Sequence, residues 1–459
     1  GMHLKQLLIH KNQLSSLPNL SDQLELEIFS ASHNKLTTIT VDLQKLSALR
    51  QLNLAHNTLT TFPDKKSKDF FQAMILLEQL QLQHNKLTSI TPSIGYLVQL
   101  TECNFSHNQL TTLPKEMGSL VNLKKLDVSN NLLASLCEDL SQLKALESLL
   151  LKDNKLASLP SLKDLENLSE LTVSNNMLSN AEHLANLPIS LRSLDIAFNS
   201  FNALPQDLGR LSSLVRLDAS HNNISSLSQL FGGNNTILRN SSSEGTNGEA
   251  DNTNSQPAPG LLSLKHLHLS HNALQSIPAE IGTCQALVDL DISENPLNSL
   301  PIELRSLVLL ETLSLQSKKS TFTLTGECLP PALNKLSFGN IQINKRKGEI
   351  QLIQSPDADA TASPMTVQVP ALLACVKTIP HLLVMFALAD CSKQQDLADI
   401  LIEQDGLSIF WDLLGKLVSN STQVVPAERA ADILHCTTTL SNLYDRITSD
   451  NYRFKLGEA

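Results

Sequence analysis

Aromatic side chains are scarce in this chain: they make up 4% of its 459 residues, with one tryptophan and three tyrosines. A core built on a few large rings is therefore excluded, although an apolar share of 41% suffices for a folded interior. Cysteine is sparse and unpatterned. Cys103, Cys137, Cys284, Cys328, Cys375, Cys391 and Cys436 form no CxxC pair and no metal-ligand spacing, which argues against a disulfide framework or a zinc site. There is no P-loop, GxSxG, HExxH or kinase signature, so the expectation is a protein without catalytic chemistry, metal or cofactor. Positive charge is in deficit. A net charge of −10, with Lys345-Arg346-Lys347 as the only basic run, speaks against nucleic acid and anionic membrane as partners.

No secretory leader is expected, since Gly1-Met2-His3-Leu4 runs straight into the pattern described next. The most apolar stretch, from Pro370 to Asp390, is interrupted by Lys377, Pro380 and His381, so it reads as a buried helical pair and not as a membrane span. N-x-S/T sequons such as Asn104 and Asn240 are expected by chance in a chain this rich in Asn, Ser and Thr. The expected location is cytoplasmic.

What is abundant is leucine at fixed intervals. The phrase LxxLxLxxNxL reads Leu49, Leu52, Leu54, Asn57, Leu59, and again Leu77, Leu80, Leu82, Asn85, Leu87. The asparagines recur as Asn12, Asn34, Asn57, Asn85, Asn108, Asn131, Asn154, Asn176, Asn199, Asn222, Asn272 and Asn295. Their steps are 22 or 23 residues, apart from 28 after Asn57 and 50 after Asn222, which are whole repeats plus insertions. Such self-similarity marks a solenoid.

Each position has a physical reason. Alternate residues such as Leu52 and Leu54 point one way from a short strand and leave their neighbours on the other face. An asparagine amide donates and accepts at once, so it can satisfy the backbone of a tight coil. Leu-Pro and Ile-Pro pairs (Leu113-Pro114, Leu204-Pro205, Ile277-Pro278) favour an extended return path. The segment from Lys115 to Leu120 then supplies a short helical or 3₁₀ turn. No single coil can bury its apolar row, but stacked coils can. The fold class expected is an α/β solenoid, horseshoe-shaped, with a parallel inner sheet.

The phrases Leu204-Pro205-Gln206-Asp207-Leu208-Gly209-Arg210-Leu211 and Leu113-Pro114-Lys115-Glu116-Met117-Gly118-Ser119-Leu120 match the LPxxLGxL return of one group of such proteins. Over residues 4 to 315 the chain resembles the intracellular Ras-group leucine-rich-repeat proteins, the class that includes the Scribble and Erbin scaffolds. The resemblance implies protein binding in signalling, through the concave sheet face. Cys137-Glu138-Asp139 resembles a Cys-x-Asp nucleophile found in some bacterial ubiquitin ligases. Cys137 stands where the return proline usually does, and a structural role is preferred.

Two further coils, Leu310/Leu313/Leu315 and Leu333/Leu336/Phe338, keep the frame but put Lys318 and Ile341 in the asparagine slot. They read as atypical closing repeats, so the repeat domain is expected over residues 1–343. Its Gly, Asn and Ser-rich insertion at 231–260 has too little apolar content to order itself. A linker is expected at 344–366 and an all-α segment at 367–459. In that segment Leu401-Ile402-Glu403-Gln404-Asp405-Gly406-Leu407 and Leu440-Ser441-Asn442-Leu443 resemble fragments of armadillo repeats. The expectation is of a chain cut at both ends.

Candidate binding residues come from the outward strand positions, which form lateral rows. One row runs Asn104, Asp127, Leu150, Thr172, Asp195, Asp218, His268, Asp291; the other runs Glu102, Lys125, Ser148, Glu170, Ser193, Arg216, His266, Asp289. The charged members Lys125, Asp127, Asp195, Arg216, Asp218, His266, His268, Asp289 and Asp291 are the predicted protein-binding residues. Three readings stand open: a self-satisfied Asp–His–Arg ladder, an acidic footprint for a basic segment of a partner protein, and a metal or hydrolytic site. A second column, His33, His56, His84, His107, His221 and His271, directly precedes the asparagines; stacking would bring its neighbours within about 5 Å, where they could bind metal, sense pH or merely fill the turn. The function expected is a non-catalytic scaffold or adaptor for other proteins, not for nucleic acid or small molecules. The alternative is a targeting module of a larger signalling enzyme.

Overall fold

The computed structural model describes residues 4–39, 43–62, 70–231, 260–315, 330, 333, 335–338, 341–344 and 349–352. Nearly all of the expected insertion at 231–260, the position of Lys318 and the whole armadillo-like segment at 367–459 lie outside these residues. Two compact units divide the chain, residues 1–266 and 267–459.

In the first unit the phrase LxxLxL becomes a three-residue strand in every coil: β1 (Gln6–Leu8), β2 (Ile28–Ser30), β3 (Gln51–Asn53), β4 (Gln79–Gln81), β5 (Glu102–Asn104), β6 (Lys125–Asp127), β7 (Ser148–Leu150), β8 (Glu170–Thr172), β9 (Ser193–Asp195) and β10 (Arg216–Asp218). Successive strands pair in parallel with no register slip, so Leu126 lies against Leu149 and Asn104 against Asp127. The central residue of each points inward. Phe29, Leu52, Leu80, Cys103, Leu126, Leu149, Leu171, Leu194 and Leu217 are all 1% exposed or less. The coil that starts at Leu123 also seals Val128, Leu133 and Leu140, and each such side chain is worth about 1.5–3 kcal/mol relative to exposure.

The prolines do what their fixed φ allows. Pro114 and Pro205 sit at ψ 145° and 150°, extended, and each is followed by a 3₁₀ turn, Lys115–Ser119 and Gln206–Arg210. Gly118 within that turn is required by close approach, because a Cβ there would lie 2.5 Å from the Asp139 carbonyl oxygen of the next coil. A four-residue helix, Ser228–Phe231, follows the last coil of this unit.

Strand β11 (His266–His268) spans the boundary between the units. In the second unit, β12 (Asp289–Asp291), β13 (Thr312–Leu315) and β14 (Lys335–Phe338) are parallel. The pattern then breaks. Ile341, expected in an asparagine slot, instead opens β15 (Ile341–Asn344), which runs antiparallel to β14, and β16 (Glu349–Leu352) folds back on it. Isoleucine has no amide to close a coil, and the chain reverses. Asn344 and Glu349–Leu352, expected within the linker, are therefore strand.

Candidate functional site

The buried asparagines are structural. Asn57 Nδ2 donates to the Ala31 oxygen of the preceding coil at 3.0 Å and to Leu54 and Ala55 oxygens of its own at 3.0 and 3.2 Å. Its Oδ1 accepts from Leu36 N at 3.0 Å. The same four bonds recur at Asn108, Asn131 and Asn154. The asparagine thus ties each coil to its predecessor, and its chemistry is not available to a ligand.

Within the first unit the outward strand positions form lateral rows. In the first unit, Asp127, Leu150, Thr172, Asp195 and Asp218 are register neighbours in turn. Sequence reasoning missed how their carboxylates are used. Asp127 Oδ1 accepts from Ser129 N at 3.0 Å and Ser129 Oγ at 2.6 Å; Asp218 does the same with Ser220 at 3.1 and 2.7 Å. Asn104 and Ser106 repeat the arrangement with an amide oxygen. These are local turn caps that hold the exit of the strand. The signal was legible as Asp-x-Ser and Asn-x-Ser at the ends of β5, β6 and β10. Asp195 lacks the serine and bonds instead to Ala197 N at 3.1 Å and to Ser174 Oγ of the neighbouring coil at 2.7 Å. Burial pushes the Asp195 carboxyl above its ordinary value, with the Asp218 charge adding to the rise; the Ser174 and Ala197 bonds and Lys152 oppose it.

Lys125 and Arg216 are exposed on the same face and make no ion pair among the described residues. His266 is half-buried at the start of β11. In the second unit, His268 Nε2 lies 2.9 Å from Asp289 Oδ2, and Asp291 caps Ser293 through N at 3.0 Å and Oγ at 2.6 Å. One pair of the ladder therefore forms within that unit. Among the described residues, no group of three His, Cys, Asp or Glu side chains could hold a metal ion, and no helix is long and apolar enough to cross a membrane.

Four residues of the histidine column in the first unit stack face to face, with ring centroids 4.0 Å apart for His33–His56, 4.2 Å for His56–His84 and 4.1 Å for His84–His107. Cys137 is half-buried, with Sγ 3.8 Å from the Pro114 oxygen. Burial, more than any other cause, pushes its thiol up, the opposite of what a nucleophile needs.

Known proteins share this pattern. The family model Leucine rich repeat matches residues 75–133, and a second model of the same description matches 263–284. The adenylate cyclase of Schizosaccharomyces pombe is 29% identical over 126 residues, which is 27% of this chain but 6% of that protein; the chain spans a small fraction of that relative's length. Among solved structures, a leucine-rich-repeat protein of Leptospira interrogans is 26% identical, with a TM-score of 0.55, covering 71% of this chain and 82% of its own. The PEPR1–AtPEP1 structure is also 26% identical, with a TM-score of 0.53 over 70% of this chain and 44% of its own. With the asparagine ladder, the parallel three-residue strands and these matches together, the chain is a leucine-rich-repeat protein.

Proposed function

We propose that this chain is a non-catalytic protein-binding module, a scaffold or adaptor of intracellular signalling, that holds its partner on the outward face of its strands. The observation that carries this reading is the parallel register, which delivers outward side chains in unbroken lateral rows while their inward neighbours are sealed. Such rows offer many shallow contacts, of which a few decide affinity. Lys125 and Arg216 are the charged positions best placed to do so, since their charges are unpaired among the described residues and exposed. PEPR1, a neighbour in fold, was solved with AtPEP1. The thiols of Cys103, Cys137 and Cys284 are unbridged, which suits a reducing, cytoplasmic setting.

The test is affinity purification with wild type and with Lys125→Glu/Arg216→Glu. Proteins recovered by the first and lost by the second, at equal melting temperature, support the reading; an identical set of captured proteins sinks the face assignment. A second reading, a targeting module within a larger signalling enzyme, has the short match to the S. pombe adenylate cyclase in its favour. Reading the complete transcript decides it, by the presence or absence of a catalytic domain.

A further inference from the structure

The residue before each buried asparagine needs a left-handed backbone. Among the described residues, twelve non-glycine residues hold positive φ, and all twelve occupy this slot, from Lys11 at 53° to Glu294 at 56°. Side chains rarely adopt this conformation, so the slot fixes where they point. In four successive coils it holds histidine: His33, His56, His84 and His107, with φ between 53° and 56°. Each backbone N–H donates to the next coil, as His33 N does to the Ala55 oxygen at 2.9 Å and His84 N to the Ser106 oxygen at 3.0 Å. Fixed backbone and fixed register leave the rings parallel to within 9°, 15° and 9°. His33, His84 and His107 are exposed and His56 is half-buried.

Parallel rings do not converge on a point, and no described group suits a metal. The surrounding charge is one-sided instead. Lys11 begins the column one coil earlier, and Lys35 and Lys86 directly follow Asn34 and Asn85. Lys35 Nζ bonds the neutral Gln13 Oε1 at 3.2 Å. The described carboxylates of these coils, Asp22, Glu25, Glu27, Glu78 and Glu102, come at or before the start of their strands, away from the column. Glu27 pairs with Lys5 and Glu78 with Arg50, while Glu102 opens β5, five residues before His107. Past His107 the column continues as Asn130 and then Asp153, whose Oδ1 accepts from Asn175 Nδ2.

We propose that the imidazole stack is a proton-gated docking strip for an acidic stretch of a partner protein, laid along the column from Lys11 to His107. This site is separate from the strand face proposed above. Five positions spaced about 4.8 Å apart are spanned by roughly six extended residues. With neutral rings the strip offers its lysines alone. Protonated rings repel one another at this spacing, so the unliganded stack resists charging. Burial first, and then His33, His84 and His107, hold the His56 imidazole below its ordinary value; burial first, then His107 and His33, do the same at His84. Carboxylates laid across the stack offset that repulsion. Binding therefore takes up protons, and affinity rises as pH falls through the region of the ordinary imidazole value of 6.5.

The probe is a fluorescent oligo-aspartate peptide of about ten residues, titrated into the full chain at about pH 7.5 and pH 5.5. The expected result is roughly tenfold tighter binding at the lower pH, from two or three exposed charge pairs, lost at high salt. Replacing His33, His56, His84 and His107 together by Asn should abolish the pH response with the fold intact, because the chain itself places Asn130 and Asn175 in this slot at φ 54° and 53°. His56→Lys/His84→Lys, which repeats the lysine that Lys11 already provides in this slot, should bind tightly at both pH values. Equal affinity of wild type at the two pH values, or a pH response that survives in the fourfold asparagine variant, overturns the proposal. The Lys125 and Arg216 test reads the strand face independently, so either proposal can fail alone.

Discussion

Removing one rung of the asparagine ladder has a cost that can be worked out bond by bond. Asn108, 8% exposed, donates from Nδ2 to the oxygens of Leu82 at 3.0 Å, Phe105 at 3.0 Å and Ser106 at 3.2 Å, and accepts on Oδ1 from Leu87 N at 2.9 Å. Alanine in its place strands the Leu87 N–H between coils, whereas the Leu82, Phe105 and Ser106 oxygens keep a second donor in Asn85 Nδ2, Asn131 Nδ2 and His84 N. At about 1–3 kcal/mol for an unsatisfied buried group, Asn108→Ala should cost about 1–3 kcal/mol in guanidinium unfolding. Because coils contact only their neighbours, hydrogen exchange should accelerate most at the Leu87 amide and little in distant coils.

Asn108→Asp sharpens the test. The aspartate keeps an oxygen for Leu87 N but turns its other oxygen toward the Leu82 and Phe105 carbonyls, so at neutral pH it should be at least as destabilising as alanine. Burial and those carbonyls raise the folded carboxyl above its unfolded value of about 3.9. The folded state then holds the extra proton within that window, and stability must rise as pH falls through the raised value. The protonated acid donates again and resembles asparagine. A loss below about 1 kcal/mol for alanine, or an aspartate penalty unchanged between about pH 7 and pH 4, would refute the claim that these bonds join the coils.

Two further perturbations are simpler. Gly118→Ala puts a Cβ 2.5 Å from the Asp139 oxygen and 2.9 Å from its Cβ, so urea unfolding should show a loss of about 1–3 kcal/mol; Gly95→Ala, with nearest atoms at 3.0 Å, should cost less. Asp195→Asn removes a carboxylate whose charged form is disfavoured by burial and by Asp218. The folded state favours the protonated acid, so the native charge weakens folding as pH rises through the raised value. The variant should melt higher than wild type near pH 7 and show no gain near pH 3.

The solenoid was legible in the sequence because its determinants are local and repeated. Asn57 and Asn108 announce the coil, Leu52 and Leu54 the strand, and Pro114 the extended return. The end of the pattern was less so, because Ile341 preserves the spacing while lacking the amide that the spacing exists to place. The site was read only in part. Counting Asp127, Asp218 and Asp291 as surface charge overlooked serines two residues on, and a carboxylate bonded to its own turn is not fully available to a partner. The histidines were located correctly, but their alignment depends on positive φ, which periodicity does not encode.

A negative total charge need not set the sign of the surface that a partner meets. The −10 of this chain is summed over positions with different employment. Asp127 and Asp218 are held by turn hydroxyls, and Glu27, Glu78 and Glu147 by Lys5, Arg50 and Lys124. The cations left without a carboxylate among the described residues include Lys125 and Arg216 on the strand face, with Lys11 and Lys35 near the imidazole column. Within the first unit, cations without a carboxylate thus stand on both proposed surfaces. If the two proposed surfaces hold protein, both favour acidic segments, the reverse of the basic partner that a row of aspartates suggests. Charge substitution discriminates between the two: an acidic partner is weakened by Lys125→Glu and strengthened by Asp127→Asn, whereas a basic partner responds with both signs exchanged.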